Sequence, residues 1–173
     1  GRAAAHAALR TLGLDRGPLL QGPSRDPLWP SGATGSISHA AGFGIALVAP
    51  TEYTDGVGVD IEQLRDAPEL WDQVPTTEER RWLERLEPGE REAGVLALFS
   101  SKESVFKAFF QRSRSFFGFD KASLAPAPSG FTGRLTDGVD EDYPSERSFT
   151  ITCQWSGDIV LTSLVLPKTQ SRF

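Results

Sequence analysis

The run from Phe99 to Phe110 contains neither Gly nor Pro. Its apolar residues recur at Phe99, Phe106 and Phe110, with Val105 and Phe109 beside them. That spacing fits a largely buried helix, around which the rest of the chain has to be organised. Glu103 and Lys107 stand four apart, so they share one face of it. A charged pair in so apolar a segment has two readings. One is a helix-surface pair that contributes a few tenths of a kcal/mol. The other is a working pair, a carboxylate for a metal and a lysine for a phosphate.

About forty residues upstream, Val57-Gly58-Val59-Asp60-Ile61-Glu62 alternates cleanly. Val57, Val59 and Ile61 point one way from such a strand, and Gly58, Asp60 and Glu62 the other. Two carboxylates then share a face with their Cα atoms about 7 Å apart, and Gly58 leaves room there for a ligand. Like charges side by side are costly unless water or a cation separates them. The plain alternative is an edge strand facing solvent. Asp60, Glu62 and Glu103 together make an oxygen ligand set of the kind Mg²⁺ takes, with Mn²⁺ as a substitute. Lys107, one turn past Glu103, would point near the phosphates of the metal's substrate.

A chain of 173 residues has room for one domain or two small subdomains. A net charge of -5 argues against a general nucleic-acid binder. The single cysteine, Cys153, forms no internal disulfide and points to a reducing compartment; its alternating surroundings make it buried filler. No run approaches the ~18 apolar residues of a membrane span, and no signal peptide is visible. The expected location is the cytoplasm. The chain lacks a starting Met and opens within a helical pattern, so an N-terminal segment is expected to be missing.

Ala3 to Leu12 reads as a helix closed by Gly13. Arg2 and Arg10 lie about two turns apart on it, either as a solvated edge or as cations for an anionic ligand. His6 reads as an ordinary surface or packing residue. Gly17 to Gly35 reads as a loop, with Trp29 between prolines pinning it to the core. Ser36, Ser38 and His39 then bring groups suited to a phosphate, or build a turn, before a strand over Gly42 to Val48. Thr76 and Glu79 form a capping box for a helix with Trp82, Leu83 and Leu86 as its apolar stripe. The central helix begins near Glu92. Phe131–Leu135, Phe149–Trp155 and Ile159–Leu166 read as antiparallel strands, with an acidic loop from Asp137 to Glu146. The order of elements suggests two α+β subdomains, 1–56 and 57–173, with Asp60, Glu62 and the central helix at their seam.

These residues also carry a resemblance. Val57 to Glu62, followed by Phe99-Ser-Ser-Lys-Glu103-Ser-Val-Phe-Lys107-Ala108, resembles the signature pair of the 4'-phosphopantetheinyl transferase superfamily, (V/I)G(V/I)D(I/V)E and (F/W)(S/T/C)xKEAxxKA. Trp29-Pro30-Ser-Gly32-Ala-Thr-Gly35-Ser36-Ile37-Ser38-His39 is similar to the WPxGxxGSxTH segment of the single-chain, siderophore-synthase-activating branch, including its actinobacterial members. Gly1-Arg2 through Ala8-Leu9-Arg10 resembles that branch's GRxxAxxAL(R) helix. Ser104 replaces the commoner alanine. Gln21 and Pro23 stand in a loop where relatives often carry a lysine, so Arg25 is the replacement contact.

The resemblance implies an α+β fold of two pseudo-symmetric α/β subdomains, each a small, mainly antiparallel sheet with packed helices. It implies transfer of phosphopantetheine from coenzyme A to a serine of an apo acyl or peptidyl carrier protein, of fatty-acid, polyketide or nonribosomal peptide synthases, with release of 3',5'-ADP. Asp60, Glu62 and Glu103 would bind Mg²⁺. Glu103, or a water near Glu62, would take the serine proton. Lys107 would hold the α-phosphate. Arg2, Arg10, Arg25, Ser38 and His39 would contact the coenzyme's phosphates, and Lys102 would contact phosphate or adenine. Arg112 and Arg114, with Phe116 and Phe117, would meet the acidic carrier; favourable terminal cations explain the two arginines equally well. The two-subdomain length implies a monomer. A different Mg²⁺-dependent phosphotransferase or pyrophosphohydrolase would use the same carboxylates and lysine, but leaves the segment from Trp29 to His39 without a purpose. A bare binder of coenzyme A would not need the full set.

Overall fold

The computed structural model describes residues 1–15, 17–136, 139–140 and 143–169. It opens with α1 (Arg2–Thr11) and a short hairpin of β1 (Leu20–Gln21) and β2 (Pro27–Leu28). The predicted loop before Gly35 therefore holds two strand pieces. Trp29 does pin it: a Cβ on Gly35 would strike the indole ring. β3 (Ala33–Ala40) and β4 (Phe43–Pro50) form an antiparallel hairpin. Ala41 and Gly42 turn it with positive φ of 53° and 79°, the conformation that two-residue hairpin turns require.

Next come β5 (Thr54–Gln63), α2 (Glu69–Gln73), α3 (Thr77–Leu83) and the long α4 (Arg91–Ser113). β6 (Ala122–Ala127), β7 (Gly130–Leu135), β8 (Phe149–Ser156) and β9 (Ile159–Pro167) follow. β5 to β9 make one antiparallel sheet in the order β5-β9-β8-β7-β6. The architecture is thus mixed helix and sheet, with antiparallel sheets and packed helices. β6 has no counterpart in the sequence reading, because Pro126 and small residues hide its pattern. It survives as an edge strand, where a missing donor faces outward. Of the acidic stretch 137–146, residues 137, 138, 141 and 142 lie outside the described residues.

α4 lies across the five-stranded sheet and supplies the centre of the core. Leu98, Val105, Ala108 and Phe109 are fully buried with Ile151, Val160, Leu164 and Leu166 of β8 and β9. Phe99 and Phe106 are only half-buried, so the buried stripe runs through Val105 and Phe109 instead. Two contacts set the height of α4 over the sheet. A Cβ on Gly58 would collide with the Ser104 carbonyl oxygen, and one on Gly56 with that of Ala108. Gly58 therefore makes room for the helix backbone, not for a ligand. On the same face, Ser100 and Ser104 hydroxyls meet Thr162 Oγ1 at 2.9 and 2.8 Å. Ser104 thus replaces a methyl with a buried hydrogen bond to β9. Among the described residues, no helix is long and apolar enough to cross a membrane.

Candidate active site

β3 and β5 run side by side without sharing a sheet, and side chains close the seam between them. Ser36 Oγ accepts from Val59 N at 3.0 Å. Gln111 of α4 donates to Val57 O at 2.9 Å and to Gly35 O, while its own oxygen accepts from Thr34. One carboxamide therefore ties β3, β5 and α4 together. Neither Ser36 as a seam residue nor Gln111 is recognisable from sequence; the one available signal is a Gln four residues past Lys107, on the same helix face.

Asp60 sits in this seam, 2% exposed. Its Oδ1 accepts from Lys107 Nζ at 2.6 Å and from Ser38 Oγ at 2.7 Å. Its Oδ2 is buried with no hydrogen-bond partner among the described residues. Lys107 also reaches Ser38 Oγ at 3.3 Å and Val59 O at 3.4 Å. Glu103 and Glu62 are half-buried, each near enough to Asp60 to feel its charge. Burial pushes the carboxyl pKa of Glu103 up, opposed by Lys107 and reinforced by Asp60. Burial also raises that of Glu62, with Asp60 and Glu103 adding to it against Arg65 and Lys107. The three acids therefore share one electrostatic environment, although among the described residues no three such groups are already gathered closely enough to hold an ion. An orphaned buried carboxylate oxygen, flanked by two acids that resist ionising, fits a hard divalent cation, which would satisfy all three.

Lys107 also stands on the wall of a cleft of about 490 Å³ between the Ser24–Trp29 loop, β3 and the end of α4. Arg25 lines this cleft, held in a turn at φ 64°. Arg114 lines it too, bonded to Asp26 at 2.6 Å across its mouth. His39 is exposed and, by alternation along β3, lies on the face opposite Ser36 and Ser38. Arg2 is exposed at the start of α1. Arg10 turns to Asp15 at 3.2 Å, and Asp15 also takes His6 at 2.7 Å, so Arg10 already has an acidic partner.

Two expectations need correction. Lys102 is 1% exposed and belongs to the core. Its ammonium meets Glu79 at 2.7 Å and the carbonyls of Val74 and Phe119 at 2.9 Å each, so its donors are engaged in the core and not offered to phosphate or adenine. Glu79 does complete the capping box with Thr76, and it is also the buried counter-ion and accepts from Leu124 N at 2.7 Å. Arg112 is withdrawn as well: Asp55 at 2.6 Å and Asp140 at 2.7 Å enclose it, leaving no free guanidinium for a carrier. Of that expected patch, Arg114 and Phe116 remain exposed, Phe116 by 72%.

Comparison with known proteins places this geometry. The family model of the 4'-phosphopantetheinyl transferase N-terminal domain matches residues 1–49, and that of the 4'-phosphopantetheinyl transferase superfamily matches residues 56–153. The 4'-phosphopantetheinyl transferase Svp of Streptomyces mobaraensis is 41% identical over 140 residues, which covers 78% of this chain and 56% of Svp. The 4'-phosphopantetheinyl transferase PptT of Mycobacterium tuberculosis is 32% identical over 175 residues, 95% of this chain and 76% of PptT. The fold is similar to that of a holo-(acyl-carrier-protein) synthase from Bacillus anthracis solved in complex with CoA (3',5'-ADP): TM-score 0.52, 19% identity, 68% of this chain and 99% of that one. The chain spans little more than half the length of Svp.

Proposed function

This chain belongs to the 4'-phosphopantetheinyl transferase superfamily, and from that premise we propose that it moves the 4'-phosphopantetheine arm of coenzyme A onto a serine of an apo acyl or peptidyl carrier protein. The observation that carries the reading is Asp60, buried at the seam with one oxygen unpartnered and the other shared by Lys107 and Ser38. In the reaction the serine oxygen bonds to the β-phosphorus, the bond from that phosphorus to the bridging oxygen breaks, and 3',5'-ADP leaves.

Glu103 takes the serine proton. Burial raises its proton affinity, and it acts as charge builds on the serine oxygen in the transition state. Glu62 is the alternative acceptor, through a water. Lys107 binds the α-phosphate and stabilises the charge that builds on the departing oxygen. Arg25 meets phosphates from the cleft side and Ser38 from beside Asp60, while Arg2 and His39 reach them from the α1 side. Arg10 joins them only by leaving Asp15. Asp60, Glu62 and Glu103 would hold Mg²⁺ or Mn²⁺, which would supply neutralisation of the diphosphate. The division into 1–56 and 57–173, a monomeric state and a cytoplasmic location belong to the same proposal. The carrier belongs to a fatty-acid, polyketide or nonribosomal peptide synthase.

The test is incubation with coenzyme A, Mg²⁺ and an apo carrier protein. The carrier should gain the mass of one phosphopantetheine arm. An unmodified carrier, with hydrolysis of other pyrophosphates instead, replaces this reading with a pyrophosphohydrolase.

A further inference from the structure

Lys107 and the divalent ion make competing demands on Asp60. The carboxylate gives Oδ1 to the ammonium at 2.6 Å and to Ser38 at 2.7 Å, and keeps Oδ2 without a partner. An acid paired this closely is a poor ligand for a dication, because the incoming charge must sit beside an ammonium in a site with little water. Lys107 is not locked in place as Lys102 is. Its side chain is 24% exposed, against 1% for Lys102. Its contacts with Ser38 and Val59 are long, at 3.3 and 3.4 Å. It also lines the cleft, so its ammonium has a short path into it.

We propose that Lys107, besides binding phosphate, guards Asp60: it stays on the carboxylate until a diphosphate in the cleft draws it away, and only then does Asp60 become a strong metal ligand. This rests on the reading that the cleft takes the diphosphate of coenzyme A. The consequence is thermodynamic linkage. Metal alone binds weakly, the coenzyme strengthens metal binding, and part of that strengthening comes from releasing Lys107, beyond chelation by the diphosphate itself.

Calorimetric titration with MnCl₂, with and without coenzyme A, tests this on the whole chain. Lys107→Met should bind Mn²⁺ alone at least tenfold more tightly than wild type, and should lose most of the strengthening by coenzyme A. Lys107→Gln, whose amide still donates to Asp60, is the second variant should the first fail to fold, and should shift the same way. Arg65→Gln separates occupancy from field, since Arg65 acts electrostatically on Glu62 while its ion pair among the described residues is with Glu69 at 3.8 Å; it should change Mn²⁺ affinity less than threefold. Unchanged Mn²⁺ affinity in the Lys107 variants overturns the proposal, and so does an equal gain in Arg65→Gln. Wild type that ignores coenzyme A altogether refutes the functional reading instead, while tighter Mn²⁺ binding by Lys107→Met would still stand for the guard.

Discussion

Lys102→Met tests the division of labour between the two lysines of α4. In the wild type the Lys102 ammonium is enclosed by Glu79 and two carbonyls, with side-chain exposure of 1% and 0% for the ion pair. Removing it strands a buried carboxylate and two buried acceptors. Breaking one side of a buried pair costs about 3–5 kcal/mol. A domain of this size has a total stability of about 5–15 kcal/mol, so the variant keeps its fold but with a narrow margin. With a urea slope of about 2 kcal/mol per molar, the unfolding midpoint should fall by about 2 M. Urea titration followed by circular dichroism measures this directly. Lys102→Met combined with Glu79→Gln should cost less than the two singles summed, by about 1–3 kcal/mol, because the second change removes the stranded charge. The KM for coenzyme A should stay at the wild-type value in the surviving folded fraction. A midpoint within about 0.5 M of wild type, with a raised KM for coenzyme A, would show that Lys102 works on the ligand and that the core assignment is wrong.

Gly58→Ala places a methyl group on the Ser104 carbonyl; it should cost at least about 1–3 kcal/mol, and a melting temperature equal to wild type would refute the backbone contact between β5 and α4. Glu103→Gln should lower kcat by about 10²–10⁴-fold while raising stability at pH 7, and a full-rate variant removes Glu103 from the chemistry. The stability sign follows from its pKa, which is raised in the fold: the ionised carboxylate lowers stability as pH rises above its ordinary value, and no such loss exists for the amide. By the same sign, Mg²⁺ should raise the melting temperature more at pH 7.5 than at pH 5, because burial raises the proton affinity of Glu62 and Glu103 and protons compete with the ion; equal shifts in a thermal scan would mean that these acids do not hold the ion. Gln111→Ala leaves the Gly35 and Val57 carbonyls without their donor, and about 1–3 kcal/mol of stability should go with it. Unchanged urea unfolding would mean that the seam is held elsewhere.

The elements that depend on neighbours in the chain were legible from the residues. The alternation of Val57 to Glu62 announced β5, the capping box announced α3, and the Gly- and Pro-free run announced α4. Asp60 with Glu62, and Glu103 with Lys107, could each be placed on one face beforehand, because strand and helix periods fix which side chains share a face. Their partners could not. Lys102 and Lys107 are the same residue type, five positions apart on one helix, and both were expected to contact the coenzyme. That spacing turns them about 140° from each other around the axis, one into the core against Glu79 and the other over the seam onto Asp60. Gln111 as a clamp, Arg112 as a buried ion pair and Gly58 as a seat for the helix backbone were decided in the same way, by residues distant in sequence. Local backbone preference is set within a few residues, whereas the partner of a charge, and whether water reaches it, exists only once the helix has settled on its sheet.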